Sequence, residues 1–372
     1  MSRIAIEALG IHDFGGGRTA TLTLLEALFA IDTENQYLVI LSQYEPSLTS
    51  DSGNVRQWIA PFKNRFILRI WAQLLIPFAT RGYDLVHFVK NLGVFGIKPP
   101  NIVTIYDMTT LVYPELFPHF DVWYWQHIQK HTLYQADAII SISNTTTDDL
   151  IKFYQLPQER IQVIYPAYAS HFKPAPASEI NRVRQRYGLP EQYLIHLGRI
   201  DRKKNLTLLV QAFDLFRKKV KFCGKLVLAG EIYQKSKDIA LYPEIERLGL
   251  SEEVVFTGRV PDQDAPALYS GAFVAVYPSF HEGFGLAPVE AMACGTPLIA
   301  HSAGALREIV GDAAIILDSA NAENLAEAII QVYQNPEFHQ EMRGKGLSKA
   351  EKFRGEYTAR QTLGLYREII NR

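Results

Sequence analysis

Glu282 and Glu290 stand eight residues apart, the first beside the glycines Gly283 and Gly285, the second inside the apolar run that follows. The string from Pro278 to Pro297 comes directly after the apolar run Phe273 to Tyr277, which reads as a strand, a loop and a helix opening near Leu286. Glycines allow positive φ or close backbone approach, and a helix start aims N–H groups back at whatever its loop holds. A loop carboxylate, a helix carboxylate and free amides together suit one extended polar ligand. Taken singly, Glu282 reads as a surface loop charge and Glu290 as a charge favoured by the helix dipole.

A second cluster is the basic loop Gly198-Arg199-Ile200-Asp201-Arg202-Lys203-Lys204-Asn205, after the run Tyr193 to Leu197. Cations fixed at a strand end stabilise a departing diphosphate more in the transition state than in the ground state. The plainer reading is a solvated turn with Asp201 or Asn205 capping the next helix. Asp262-Gln263-Asp264 has the spacing of an Asp-x-Asp metal motif, but it precedes the helical stretch Ala265 to Gly271, and N-capping accounts for it. Gly15 to Ala20 matches G-x-G-x-x-A, yet no acidic residue follows at dinucleotide spacing. Asp107, with Tyr106 before it and His87 on a neighbouring run, suits acceptor positioning or proton handling; as a plain structural residue it caps the next turn.

These residues need a frame, and 372 residues are enough for two domains, each with its own core. Short apolar runs alternate with helix-period stretches from residue 3 onward, the pattern of βα units around a parallel sheet. Strands are expected at Ile4 to Ala8, Tyr37 to Leu41, Leu85 to Val89, Ile102 to Ile105, Ala138 to Ile142 and Ile161 to Ile164, with helices near 19–30, 66–79, 122–135 and 145–154. Four prolines between 166 and 190 mark a linker. The alternation then restarts with strands at Tyr193 to Leu197, Lys225 to Ala229, Val254 to Thr257, Phe273 to Tyr277 and Pro297 to Ala300. The expected plan is α/β: a first Rossmann-like domain over 1–170, a linker over 171–190, a second over 191–355, and a terminal helix, 356–372, returning to the first. Ligands of open parallel sheets bind at strand carboxyl ends, so two such sheets face to face would enclose a deep cleft.

The whole string Glu282-Gly283-Phe284-Gly285-Leu286 to Glu290-Ala291-Met292-Ala293-Cys294-Gly295-Thr296-Pro297 resembles the signature E-G-F-G-L-x-x-x-E-A-M-A-x-G-x-P of the family 4 retaining glycosyltransferases. The likeness extends through Gly198 to Leu206, Phe256 to Val260 and Thr358 to Glu368. It implies the GT-B fold and a hexose passed from a nucleoside-diphosphate sugar to an acceptor hydroxyl. By resemblance, Glu282 contacts the transferred sugar and Glu290 holds the ribose. Gly283, Phe284, Gly285, Leu286 and Val260 line the donor. Arg199 and Lys204 match the Arg and Lys of G-R-x-x-x-x-K-N that grip the diphosphate, with Lys203 as a competing register. Gly16 and Gly17 match a glycine loop that closes on the donor from the acceptor-side domain. Many relatives carry His-Asp where Tyr106 and Asp107 stand, so no catalytic histidine carries over and Asp107 is the first choice for the acceptor side. The segment Trp71 to Pro77 resembles mannosyltransferase-like members, which favours GDP-mannose over UDP-glucose as donor. The resemblance also implies that no metal or other cofactor is required.

The formal charge of −1 excludes the footprint of a dedicated nucleic-acid binder. Cys223 and Cys294 sit in no metal-spaced cluster, and Met1 to Gly10 does not read as a signal peptide, so the expected site of action is the cytoplasm, at the inner membrane face. Residues 62–81 mix Lys63, Arg65, Arg69 and Arg81 with aromatic and aliphatic residues. Such a helix either buries its apolar stripe on its own sheet or lies on an anionic membrane that carries a lipid-linked or glycan acceptor. Two rival functions fit the same fold: a non-catalytic subunit that binds a nucleotide sugar, and a nucleotide-sugar epimerase.

Overall fold

The computed structural model describes residues 1–372 except 13–14, 234–237 and 320, and the side chains at 65 and 116. The chain forms two compact units, Met1–Ala169 with Phe353–Arg372, and Ser170–Lys352.

The first unit is built on a seven-stranded parallel sheet in the order β3-β2-β1-β4-β5-β6-β7. Its strands are β1 (Arg3–Glu7), β2 (Gln36–Leu41), β3 (Val55–Ile59), β4 (Leu85–Phe88), β5 (Asn101–Ile105), β6 (Ala138–Ser141) and β7 (Ile161–Val163). Side chains alternate across a strand, and β1 shows what that does here. Ile4 and Ile6 face a core shared with the terminal helix Gly355–Ile370, whereas Ala5 faces one shared with the helix Arg65–Ala79. The terminal helix sends Ala359, Leu363 and Tyr366 into the first of these cores.

The second unit has a six-stranded parallel sheet, β10-β9-β8-β11-β12-β13. Its strands are β8 (Tyr193–Leu197), β9 (Lys225–Ala229), β10 (Val254–Gly258), β11 (Val274–Tyr277), β12 (Leu298–His301) and β13 (Ala314–Leu317). The helices Leu206–Val220 and Ala322–Gln334 pack against each other and bury Leu209, Phe213, Phe216, Leu325 and Ile329.

Three expectations are corrected. The 171–190 stretch is not a plain linker: it holds the helix Ala177–Tyr187, whose Val183 is fully buried and whose arginines reach a carboxylate of the second unit. Pro176 precedes it with φ −69° and Gly188 ends it in the left-handed region, so the proline and glycine mark its two ends. The edge strands β3 and β13 were not foreseen, because none of their residues is fully buried and their apolar pattern is broken. The amphipathic stretch 122–135 is not one helix: a π-helical segment, Trp125–Gln129, joins His119–Tyr124 to Lys130–Gln135.

Candidate active site

In both sheets the strand order reverses beside the first strand of the unit, between β1 and β4 and between β8 and β11. Loops leaving adjacent strands in opposite directions open a crevice there, where α/β sheets take their ligands. The loop after β8 carries Arg199 and Lys204, and the loop after β11 carries Glu282.

Three contacts fasten those two loops. Phe280 N–H donates to the Lys203 carbonyl (2.9 Å), Asn205 Nδ2 to the Pro278 carbonyl (3.3 Å), and Lys204 Nζ to Glu282 Oε1 (2.5 Å). Ser279 Oγ adds a donor to the same carboxylate oxygen at 2.7 Å. Gly304, at φ +61°, lies against the Glu282 backbone so closely that a Cβ would sit 2.2 Å from its carbonyl oxygen. Glycine is therefore needed twice over at 304, for its conformation and for its missing side chain. The neighbouring Ala305 N–H donates to the Glu282 carbonyl at 2.9 Å, so the loop is held from backbone and side chain together.

Burial works to raise the Glu282 carboxyl, but the Lys204 and Lys203 ammoniums, with the hydrogen bonds from Lys204 and Ser279, overcome it and hold it at about 2. Glu290 is equally buried, each being 8% exposed, and behaves oppositely. Burial, reinforced by the Asp262 carboxylate, pushes Glu290 up to about 8. It sits in the helix Leu286–Ala293, opened by Gly285 at φ +93° without a side-chain cap. The first amides of that helix have no intrahelical acceptor, and Pro288 has no N–H. Gly283 and Phe284 are buried in the loop, and Leu286 is half-buried.

Arg199 is exposed; its guanidinium lies 3.3 Å from Asp201 and stacks over the Tyr233 ring at 4.5 Å. Val260 follows β10 and is half-buried, two residues before the exposed Asp262. Asp264 occupies the cap position of the helix Ala265–Gly271 but makes no cap bond. Its buried carboxylate instead takes Arg182 (2.7 Å), Arg186 (2.9 Å) and the Tyr187 hydroxyl (3.0 Å), which corrects the capping expectation. Two guanidiniums outcompete a local amide because ionised donors make the stronger bonds. Nor does Asn205 cap: it takes a left-handed conformation and turns its amide to the Pro278 carbonyl.

The first unit repeats the arrangement with different spending of charge. Glu7 ends β1 and is 1% exposed; Lys90 lies just beyond β4. Neither was singled out from the sequence, although a carboxylate closing the apolar run Ile4 to Ile6 was the available signal. Lys90 Nζ donates to the Gly10 carbonyl at 2.6 Å, while Leu9 N–H donates to Glu7 Oε1 at 2.8 Å. Burial pushes Glu7 up to about 7, against the pull of the Leu9 amide and Lys90. Gly16 and Gly17 form the first turn of the helix Gly16–Ile31, and the Lys90 stem runs beside Gly10 and Gly17. Asp107 accepts from Thr109 N–H at 3.0 Å, closing the next turn. Tyr106 donates its backbone N–H to Asn91 Oδ1 (2.7 Å) and shares a hydrogen bond with the Thr21 hydroxyl (3.0 Å). His87 is fully buried between Tyr366 Oη (2.6 Å) and Thr104 Oγ1 (2.8 Å), and burial pushes it down to about 3. Among the described residues no cluster of three His, Cys, Asp or Glu side chains has the arrangement of a metal site.

Residues 179–348 match the model of the glycosyl transferases group 1, and residues 14–169 that of glycosyltransferase family 4. The chain is 31% identical over 333 residues to the O-antigen chain mannosyltransferase B of Escherichia coli, covering 88% of this chain and 87% of that one. It is 24% identical over 382 residues to the serotype-specific mannosyltransferase WbdA of Escherichia coli, and there it spans only 45% of the relative's length. Among solved structures, sucrose-phosphate synthase from Thermosynechococcus elongatus superposes with a TM-score of 0.78 at 21% identity, all of both chains covered. Anabaena HepE in complex with UDP and glucose gives 0.77 at 19%, covering 99% of this chain and 100% of that one.

Proposed function

The chain belongs to the group 1, family 4 glycosyltransferases of GT-B fold, and from that premise we propose that it is a retaining, metal-independent hexosyltransferase using GDP-mannose and a glycan or lipid-linked acceptor. The observation that carries the reading is the Lys204–Glu282 pair at the β8/β11 crevice, a lysine in contact with a carboxylate whose value is held at about 2. An ammonium has three donors, and Glu282 uses one of those of Lys204. The remaining two, with the Arg199 guanidinium released from Asp201, meet the negative charge that grows on the diphosphate as the bond to the sugar breaks. The acceptor oxygen bonds to the anomeric carbon on the face the diphosphate leaves, and the acceptor proton goes to the departing phosphate oxygen. Glu282 holds the hexose through this exchange. Glu290 takes the ribose hydroxyls, and the amides of Gly283 to Leu286 take sugar hydroxyls or phosphate.

Mannose as the transferred sugar is supported by the names of two relatives, both mannosyltransferases. The metal-free reading is supported by Asp264, whose carboxylate is already taken by two arginines and a tyrosine. Calorimetric titration with GDP, UDP and their mannose and glucose conjugates tests the donor: selective binding of GDP and GDP-mannose is expected, and UDP selectivity would replace mannose by a glucose-type sugar. Turnover should persist in EDTA; a loss reversed by Mn²⁺ would return Asp262 and Asp264 to the reaction.

A further inference from the structure

The helix Arg65–Ala79 is apolar on both sides. Leu68, Trp71, Ala72 and Ile76 are buried against the sheet. Opposite them, Phe66, Ile70, Leu74 and Phe78 repeat every fourth residue and so form one row along the outer face. They are exposed by 57%, 50%, 61% and 63%, with Ile67 and Leu75 beside them. The row continues onto the helix His119–Tyr124, where Phe120 lies 6.1 Å from Phe66 and stacks on Trp123 at 6.0 Å, both exposed. A surface helix normally turns polar residues outward, so a contiguous aliphatic and aromatic face of this kind marks an interaction surface.

Charge decides what covers it. From Phe62 to Arg81 the chain has four basic residues and no acidic one. The Arg81 guanidinium lies over the Phe78 ring (4.5 Å) and that of Arg69 over Tyr124 (4.9 Å), which fixes two cations beside the apolar row. His127 stacks on Trp123, and Lys130 follows. Asp121 is the one carboxylate on the helix His119–Tyr124. No helix among the described residues is long and apolar enough to cross a membrane.

We propose that these two helices form one docking surface for an anionic bilayer, the outer row entering the acyl boundary and the arginines meeting lipid phosphates. A protein partner fits less well, since the row offers no polar atoms to set a register while its rim matches anionic headgroups. The proposal goes beyond the transferase reading and stands without it, because binding is read with no sugar donor present.

The test is sedimentation of the full chain with vesicles of phosphatidylcholine alone and of phosphatidylcholine with phosphatidylglycerol. Expected are binding to the anionic vesicles only, weakening with salt, and a blue shift of tryptophan emission that W123F removes. F66S/I70S/L74S/F78S should weaken vesicle binding at least tenfold without lowering the melting temperature, since all four side chains are exposed. K63E/R81E should abolish the preference for phosphatidylglycerol. No pelleting of the unaltered chain, or pelleting unchanged by the four serines, overturns the proposal. So does a dimer in light scattering that the same serines dissociate, which would make a second copy of this chain the occupant.

Discussion

The two crevices at the sheet reversals use the same pieces, a buried glutamate and a lysine from the neighbouring loop, and set them to opposite states. At β8/β11 the lysine is spent on the carboxylate: Lys204 Nζ touches Glu282, which stays ionised to about pH 2. At β1/β4 the lysine is spent on a carbonyl: Lys90 holds Gly10, and Glu7, left with one amide donor, rises to about 7. Burial alone therefore says little about the charge of a site; the geometry of the nearest cation decides it. Glu290 makes the same point within one unit, because it has the burial of Glu282 without its lysine and rises to about 8.

The most damaging way to break the contrast is to remove the cation that is in contact. Lys204→Ala should lower kcat by about 100-fold, the loss typical of one preorganised transition-state donor, and an unchanged kcat with the preferred sugar nucleotide would dismiss the clamp. Glu290→Gln should weaken nucleotide binding roughly tenfold, the worth of one good hydrogen bond to a charged group. In the unaltered protein, affinity should climb as pH rises through about 8, since ribose hydroxyls favour the carboxylate and binding then expels its proton. Calorimetry in buffers of different ionisation enthalpy reads that proton directly; its absence would mean Glu290 binds as the neutral acid.

Glu7→Gln sharpens the comparison with the smallest change. A carboxyl whose folded value lies above its unfolded one gives stability that is complete below about pH 4.5 and lost as pH rises through about 7. Glutamine should therefore flatten the fall in melting temperature over that window, by a few degrees at pH 8. Glu282 has the reverse sign: its contribution is present above about 4.5 and lost as pH falls toward 2. Melting curves from pH 3 to 9 on Glu7→Gln and Glu282→Gln check the two signs together, and parallel curves for Glu7→Gln and the unaltered chain would show that Glu7 does not titrate there.

How much of this was legible follows from where each signal lies along the chain. The central strands announced themselves because both faces are buried and their residues run largely apolar, as in β11. The loop after β11 could be placed from the sequence because Glu282 to Glu290 is one continuous string that follows directly on a buried apolar run. Asp264 was misjudged because its partners arrive from Ala177–Tyr187, a helix concealed between prolines. The setting of His87 was not legible because its partner Tyr366 is 279 residues away. Pairings of that length leave no local trace.

Tyr366 also sets the order in which the molecule is made. One face of the first sheet, with Ile4, Ile6 and Val39, is closed by the helix Gly355–Ile370, yet all of Ser170–Lys352 is synthesised between them. On the ribosome the second unit has its own contiguous chain and can complete itself first. The unit begun first finishes last, with an oily sheet face waiting for its cover. A chain interrupted before Gly355 would thus hold the whole of the second unit and a first unit lacking Ala359, Leu363 and Tyr366 from its core.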